Sequence, residues 1–166
     1  MTSTESAGVT ILPTQEITSE NFNPYGQVVR PSSDGLPFGP ADAQLNLSNG
    51  TPRFYIMQLE GRGLRIDRIS RHQKCTQCLG AIDGKDWYMV VAPPNKNSIM
   101  PDMSQMKAFH IPGDCFIKLE MGTWHAGPYF EHESASFYNL ELADTNETDL
   151  YDHVFGEEFD ISPVTK

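Results

Sequence analysis

From Pro52 onward the chain is built of short apolar runs cut by polar and turn residues. Arg53–Leu59 is aromatic and apolar, and Leu64–Ser70 reads as an alternation of period two, the mark of a strand with one buried face. Trp87–Ala92 is a continuous apolar run, as expected of a strand buried on both faces. Met106–Ile111, Cys115–Leu119 and Ser136–Leu142 complete the set. Glycine and proline separate these runs at intervals of roughly 8–12 residues, which predicts a β-sandwich or barrel. Asp83-Gly84 predicts a tight hairpin. Upstream, Thr18 or Ser19 can cap a short helix that stops before Pro24 and turns at Gly26. Residues 31–43 are dense in proline and glycine and read as an ordered loop. Residues 1–10 are small and polar and are expected to be disordered, which leaves one domain over 11–166. The acidic stretch from Asp144 is expected to pack outside the barrel or over an edge strand.

Charge narrows the partners. The 166 residues carry 22 acidic against 12 basic side chains, a formal net charge of −10. Such a surface does not suit nucleic acid or an anionic membrane, whereas a small anionic substrate held by a single arginine is compatible with it. No apolar stretch approaches the roughly 18 residues of a membrane span, and the first residues lack a signal-peptide pattern, so the expected location is cytoplasmic. Cys75, Cys78 and Cys115 are an odd set, expected to be reduced thiols. Cys75-Thr76-Gln77-Cys78 has metal or redox spacing, but no second pair supplies a zinc site and no helix follows, so it reads as two small packed side chains.

The candidate chemistry gathers around two histidines about fifty positions apart. Ser70-Arg71-His72, Gln77 and Gly84 resemble the first sequence signature of the cupin barrels, with Ser70 in place of a histidine and Gln77 in place of a glutamate. Glu120-Met121-Gly122-Thr123-Trp124-His125 resembles the second, with Tyr129 in place of an asparagine. A more specific likeness runs from about Ile11 to Asn146. Phe22-Asn23-Pro24-Tyr25-Gly26, Arg53-Phe54-Tyr55, Arg71-His72 with Thr76-Gln77, Lys107-Ala108-Phe109, and Trp124-His125 with Pro128 are similar to segments of the ureidoglycolate lyase family, in a branch like that of plants and algae. Ala126 and Glu120 stand where many relatives carry histidine.

The resemblance implies an all-β, cupin-type double-stranded β-helix (jelly-roll) barrel. It implies a carbon–nitrogen lyase of the amidine type that cleaves ureidoglycolate to glyoxylate and urea in purine and allantoin nitrogen catabolism. It further implies a homodimer acting on a small anionic substrate. His125, His72 and Glu120 are the catalytic candidates. His72, Gln77, Glu120 and His125 are the candidate ligands of one divalent metal ion (nickel, manganese or zinc), the sole cofactor considered. The substrate carboxylate calls for a planar cation, for which Arg53 is preferred over Lys118. Gln77, Trp124 and Tyr55 complete the expected substrate surface. Two alternatives stay open from the residues alone. One is a barrel that binds a small molecule without chemistry, and the other is a metal-dependent cupin enzyme acting on another small hydroxy acid.

Overall fold

The computed structural model describes residues 8–164. The expectation of disorder over residues 1–10 lies mostly outside that range, and Thr10 already begins a strand. The chain runs β1 (Thr10–Leu12), β2 (Thr14–Glu16), a helical turn α1 (Ser19–Phe22), β3 (Gly26–Val29) and β4 (Pro52–Glu60). It continues through β5 (Arg65–Arg71), β6 (Gln77–Ala81), β7 (Gly84–Ala92), β8 (Lys107–Gly113) and β9 (Phe116–Leu119). It ends with β10 (Trp124–Tyr129), β11 (Ser134–Leu142), a second turn α2 (Thr145–Thr148) and β12 (Tyr151–Ile161). The molecule is almost all-β, as the strand pattern requires, and fits a cupin-type barrel. Among the described residues no helix is long and apolar enough to cross a membrane.

Two sheets face each other. One has the order β1-β12-β5-β10-β7-β8-β2 and the other β3-β9-β6-β11-β4. The edge strands β1 and β2 are separated along the chain by Pro13 alone, so the seven-stranded sheet curls until it nearly closes on itself. The Trp87–Ala92 run of β7 is buried throughout, and its two faces serve two cores. Trp87, Met89 and Val91 pack with Leu79, Phe109, Ile117 and Phe137 between the sheets. Tyr88, Val90 and Ala92 pack with Ile66, Ile69, Trp124, Phe155 and Phe159, all drawn from the curled sheet itself. α1 is capped as its sequence asks: the Thr18 hydroxyl accepts from Asn21 N at 3.0 Å, and the Asn21 side chain accepts from Thr18 N at 2.8 Å. That turn drives Phe22 edge-on against Phe109, closing one end of the space between the sheets.

Three expectations change. The alternation in β5 slips, because Ile66 and Ile69, three residues apart, are both buried in the same cluster. Its neighbour β12 shifts register between Val154 and Phe159, which accommodates that slip. The acidic stretch after Asp144 is no outer cover; after α2 it forms β12, an eleven-residue strand inside the seven-stranded sheet. Asp83 and Gly84 do form a tight turn, with φ of 64° and 67°, but the strands they join lie in different sheets, so no hairpin results.

Candidate active site

The apolar filling of the inter-sheet space gives way along β11 to polar side chains. Along β11 the inward positions are Ala135, Phe137, Asn139 and Glu141, all buried. The first two complete the core, and the last two open a polar pocket. Tyr55 faces Asn139 across the β4–β11 ladder, and Gln77 enters from the start of β6. From the opposite sheet come His125 on β10 and His72 just beyond β5. Together they line a half-open cavity of about 270 Å³, walled also by Met57, Ser70, Pro128 and Tyr129.

Hydrogen bonds fix what each group offers. His72 Nδ1 lies 2.7 Å from the Asp149 carbonyl, and His125 Nδ1 lies 3.4 Å from the Thr123 carbonyl. A carbonyl only accepts, so both rings carry a proton on Nδ1 and donate it there. The Asp149 carboxylate is itself tied down by Gln73 N at 2.9 Å and Lys74 N at 2.8 Å. The two imidazole centroids are 5.1 Å apart. Burial, and then the neighbouring His72, push the His125 pKa down to about 3, so this ring is neutral across the working pH range.

Facing them is a network around Gln77. Its Nε2 donates to Asn139 Oδ1 at 3.1 Å and to Glu141 Oε2 at 3.3 Å, while its Oε1 is buried without a partner. Asn139 Nδ2 donates to the Tyr55 hydroxyl at 3.1 Å, and that hydroxyl donates to Glu141 Oε1 at 3.4 Å. Burial raises the Glu141 pKa; His72 and the Tyr55 hydroxyl oppose the rise without cancelling it. A buried carboxyl poised in this way, beside His72 and the neutral His125, is an arrangement suited to moving a proton.

The sequence-derived candidates divide cleanly. His72, His125, Gln77 and Tyr55 converge on the cavity. Glu120 does not: its side chain is 46% exposed and ion-paired with Lys118. Lys118 is also elsewhere, because Ile117 and Leu119 point into the core and place it on the outer face of its sheet, beside Cys78. Trp124 is excluded by the same parity. With His125 turned into the cavity, the neighbouring indole lies on the other face and donates to Asn95 Oδ1 at 3.0 Å. Arg53 is exposed at the rim, its guanidinium 3.6 Å from the centre of the Tyr55 ring. Arg62 and Arg68 line the cavity directly. The sequence reading missed Asn139 and Glu141, although the change from apolar to polar along the inward positions of one strand was a legible signal.

A family model described as ureidoglycolate lyase matches residues 37–162, a span that contains every cavity residue named above. The chain belongs to the ureidoglycolate lyase family. No curated protein matches it. Membership in this family implies a lyase acting on ureidoglycolate, in agreement with the resemblance carried by the R-H-x-x-x-T-Q and W-H segments. Loss of chemistry and a different hydroxy acid are thereby disfavoured. For a metal ion, no cluster of three His, Cys, Asp or Glu side chains is arranged to bind one among the described residues. The ligand-type groups that share the cavity wall are the imidazoles of His72 and His125 and the side chain of Gln77, with its orphaned Oε1. Both imidazoles are anchored through Nδ1 to carbonyls, the usual support of metal-binding histidines, so the chemistry these groups offer is that of nitrogen and amide-oxygen donors.

Proposed function

We propose that this protein cleaves ureidoglycolate to glyoxylate and urea in the cavity between β5, β10 and the β4–β6–β11 face. The observation that carries the reading is the juxtaposition there of two imidazoles, the unpartnered Gln77 oxygen and the buried Glu141 carboxyl. In the reaction the carbinol hydroxyl loses a proton, the C–N bond breaks with its electron pair going to nitrogen, and the departing urea nitrogen gains a proton. A base works best with a pKa near the operating pH. His125, at about 3, is too weakly basic for that, whereas a carboxyl raised by burial is better matched. Glu141 therefore takes the hydroxyl proton and returns it to the urea nitrogen, so that no proton is gained or lost overall. Gln77 and Tyr55 hold its two oxygens in place. His72, His125 and Gln77 Oε1 would hold the divalent ion, which when bound stabilises the developing alkoxide. Arg62 and Arg68, which line the cavity, would hold the substrate carboxylate, a role expected earlier of Arg53.

The reaction belongs to purine nitrogen catabolism in the cytoplasm, a setting with which three free, buried cysteines agree. We also propose the homodimer. In its support, β4 is an unpaired edge strand of nine residues that exposes Phe54 and Ile56. The test of activity is to supply racemic ureidoglycolate with and without added nickel, manganese or zinc and to follow glyoxylate and urea together. Equal release of both, abolished in His125→Ala without loss of the fold, is the expected result. Turnover unchanged in that variant, or ammonium appearing in place of urea, overturns the assignment.

A further inference from the structure

On the reverse side of β5 from the cavity lies a buried cation with no anion. Arg71 is 4% exposed, and among the described residues no carboxylate forms an ion pair with it. Its guanidinium rests against the Trp124 ring at 4.4 Å, with the Tyr151 ring at 5.8 Å. Nη1 donates to Asn95 O at 3.4 Å and Asn95 Oδ1 at 3.2 Å, and Nη2 donates to Ser98 O at 2.9 Å. A guanidinium has five N–H donors. Three are committed to neutral oxygens, which leaves Nε–H, buried without a partner, and one further N–H.

In a chain of net charge −10, leaving an arginine buried among carbonyls is unfavourable unless something anionic completes it. The space for it exists. Arg71, Gln73, Lys96, Ser98 and Trp124 line a half-open cleft of about 730 Å³. Asp152 is the one carboxylate on its wall, and it already accepts a hydrogen bond from the Ser70 hydroxyl. We propose that this cleft is a second binding site, for a small oxyanion of carboxylate or phosphate type, held by the two free N–H groups of Arg71 and by Lys96.

Two free donors on one planar fork match the paired oxygens of such a group, and the flanking aromatic rings exclude water from the contact. The site is back to back with the lyase cavity. Arg71 and His72 are consecutive, and Leu150 lines both spaces. The segment that carries Tyr151 over Arg71 also supplies, at Asp149, the carbonyl that orients His72. Occupancy of the cleft therefore steadies the segment on which the His72 ring depends.

Inorganic phosphate titrated into the protein, followed through Trp124 fluorescence, tests the site without turnover; the other tryptophan, Trp87, is sealed in the core. A saturable change is expected, weakened at least tenfold in Arg71→Lys, which keeps the charge and loses the fork. Lys96 is exposed and its replacement spares the fold, so Lys96→Ala is expected to weaken binding several-fold even if the Arg71 variant misfolds. Arg62→Ala, altering only the lyase cavity, is expected to leave phosphate binding intact. No saturable change overturns the proposal, as does binding untouched by Lys96→Ala or lost only in Arg62→Ala. A second titration series with oxalate, read against the same variants, distinguishes a preference for carboxylate from one for phosphate.

Discussion

Glu141 shows how one residue trades stability for chemistry. Its carboxyl is buried, and because burial raises its pKa the folded chain binds its proton more tightly than the unfolded chain does. Ionising it therefore destabilises the fold as the pH rises above the unfolded carboxyl value of about 4.3. Replacement Glu141→Gln should lower kcat by about 10²–10³. The same change should raise Tm by about 2–4 °C at pH 8, and by nothing at pH 4 where the native carboxyl is already protonated. Stability curves at those two pH values check the claim, and an equal shift at both contradicts it. In the native enzyme the rate should climb with pH as Glu141 loses its proton, with no inflection from His125 above pH 5. Strand parity explains which residues were legible at this scale. His125 and Trp124 are adjacent, as are Lys118 and Leu119, so only one of each pair can face the interior. A motif names both members, whereas the side each one takes is set by register.

Among the elements, the runs of β4, β5, β7, β8, β9 and β11 were readable because their hydrophobic patterns are long or strong. β1, β2 and β3 were not, having three or four residues each and borrowing their order from partners distant in sequence. β2 is the clearest case. It pairs with β8 over three residues, and one histidine fastens it there: His110 Nδ1 lies 2.9 Å from Glu16 and Nε2 lies 2.7 Å from Asp86. Burial lowers the His110 pKa, but the two carboxylate bonds outweigh it and leave the pKa raised, while Asp86 is lowered. The stabilisation is full below the unfolded histidine value of about 6.5 and fades as the pH rises through the raised folded value. At the acid end it fades as Asp86 takes up a proton below its ordinary value of about 3.9. His110→Ala should thus destabilise by about 1–2 kcal/mol at pH 6, chiefly through the better-buried Asp86, and by clearly less at pH 9. Denaturant midpoints at the two pH values decide it; equal losses would rule out a charged clasp.

For the molecule as a whole, the exposed apolar positions Phe54, Ile56 and Tyr138 share the outer side of the five-stranded sheet, with Phe54 and Tyr138 5.9 Å apart. If two copies meet there, Phe54→Glu should convert a dimer to a monomer in sedimentation while leaving the β-sheet circular dichroism intact. A monomer already present in the native protein would refute the assembly. The near-closure of the seven-stranded sheet has a further consequence for biosynthesis. Thr10 pairs with Phe159 and Leu12 with Ile161, so these residues wait for partners made about 150 positions later. At ribosomal speed that interval is roughly 7–30 s. Until it ends, β5 and β1 lack the strand β12 that later lies between them, and the β5 edge stays bare. The nascent chain is therefore a natural client for chaperones, and the barrel is sealed only after translation has passed residue 161.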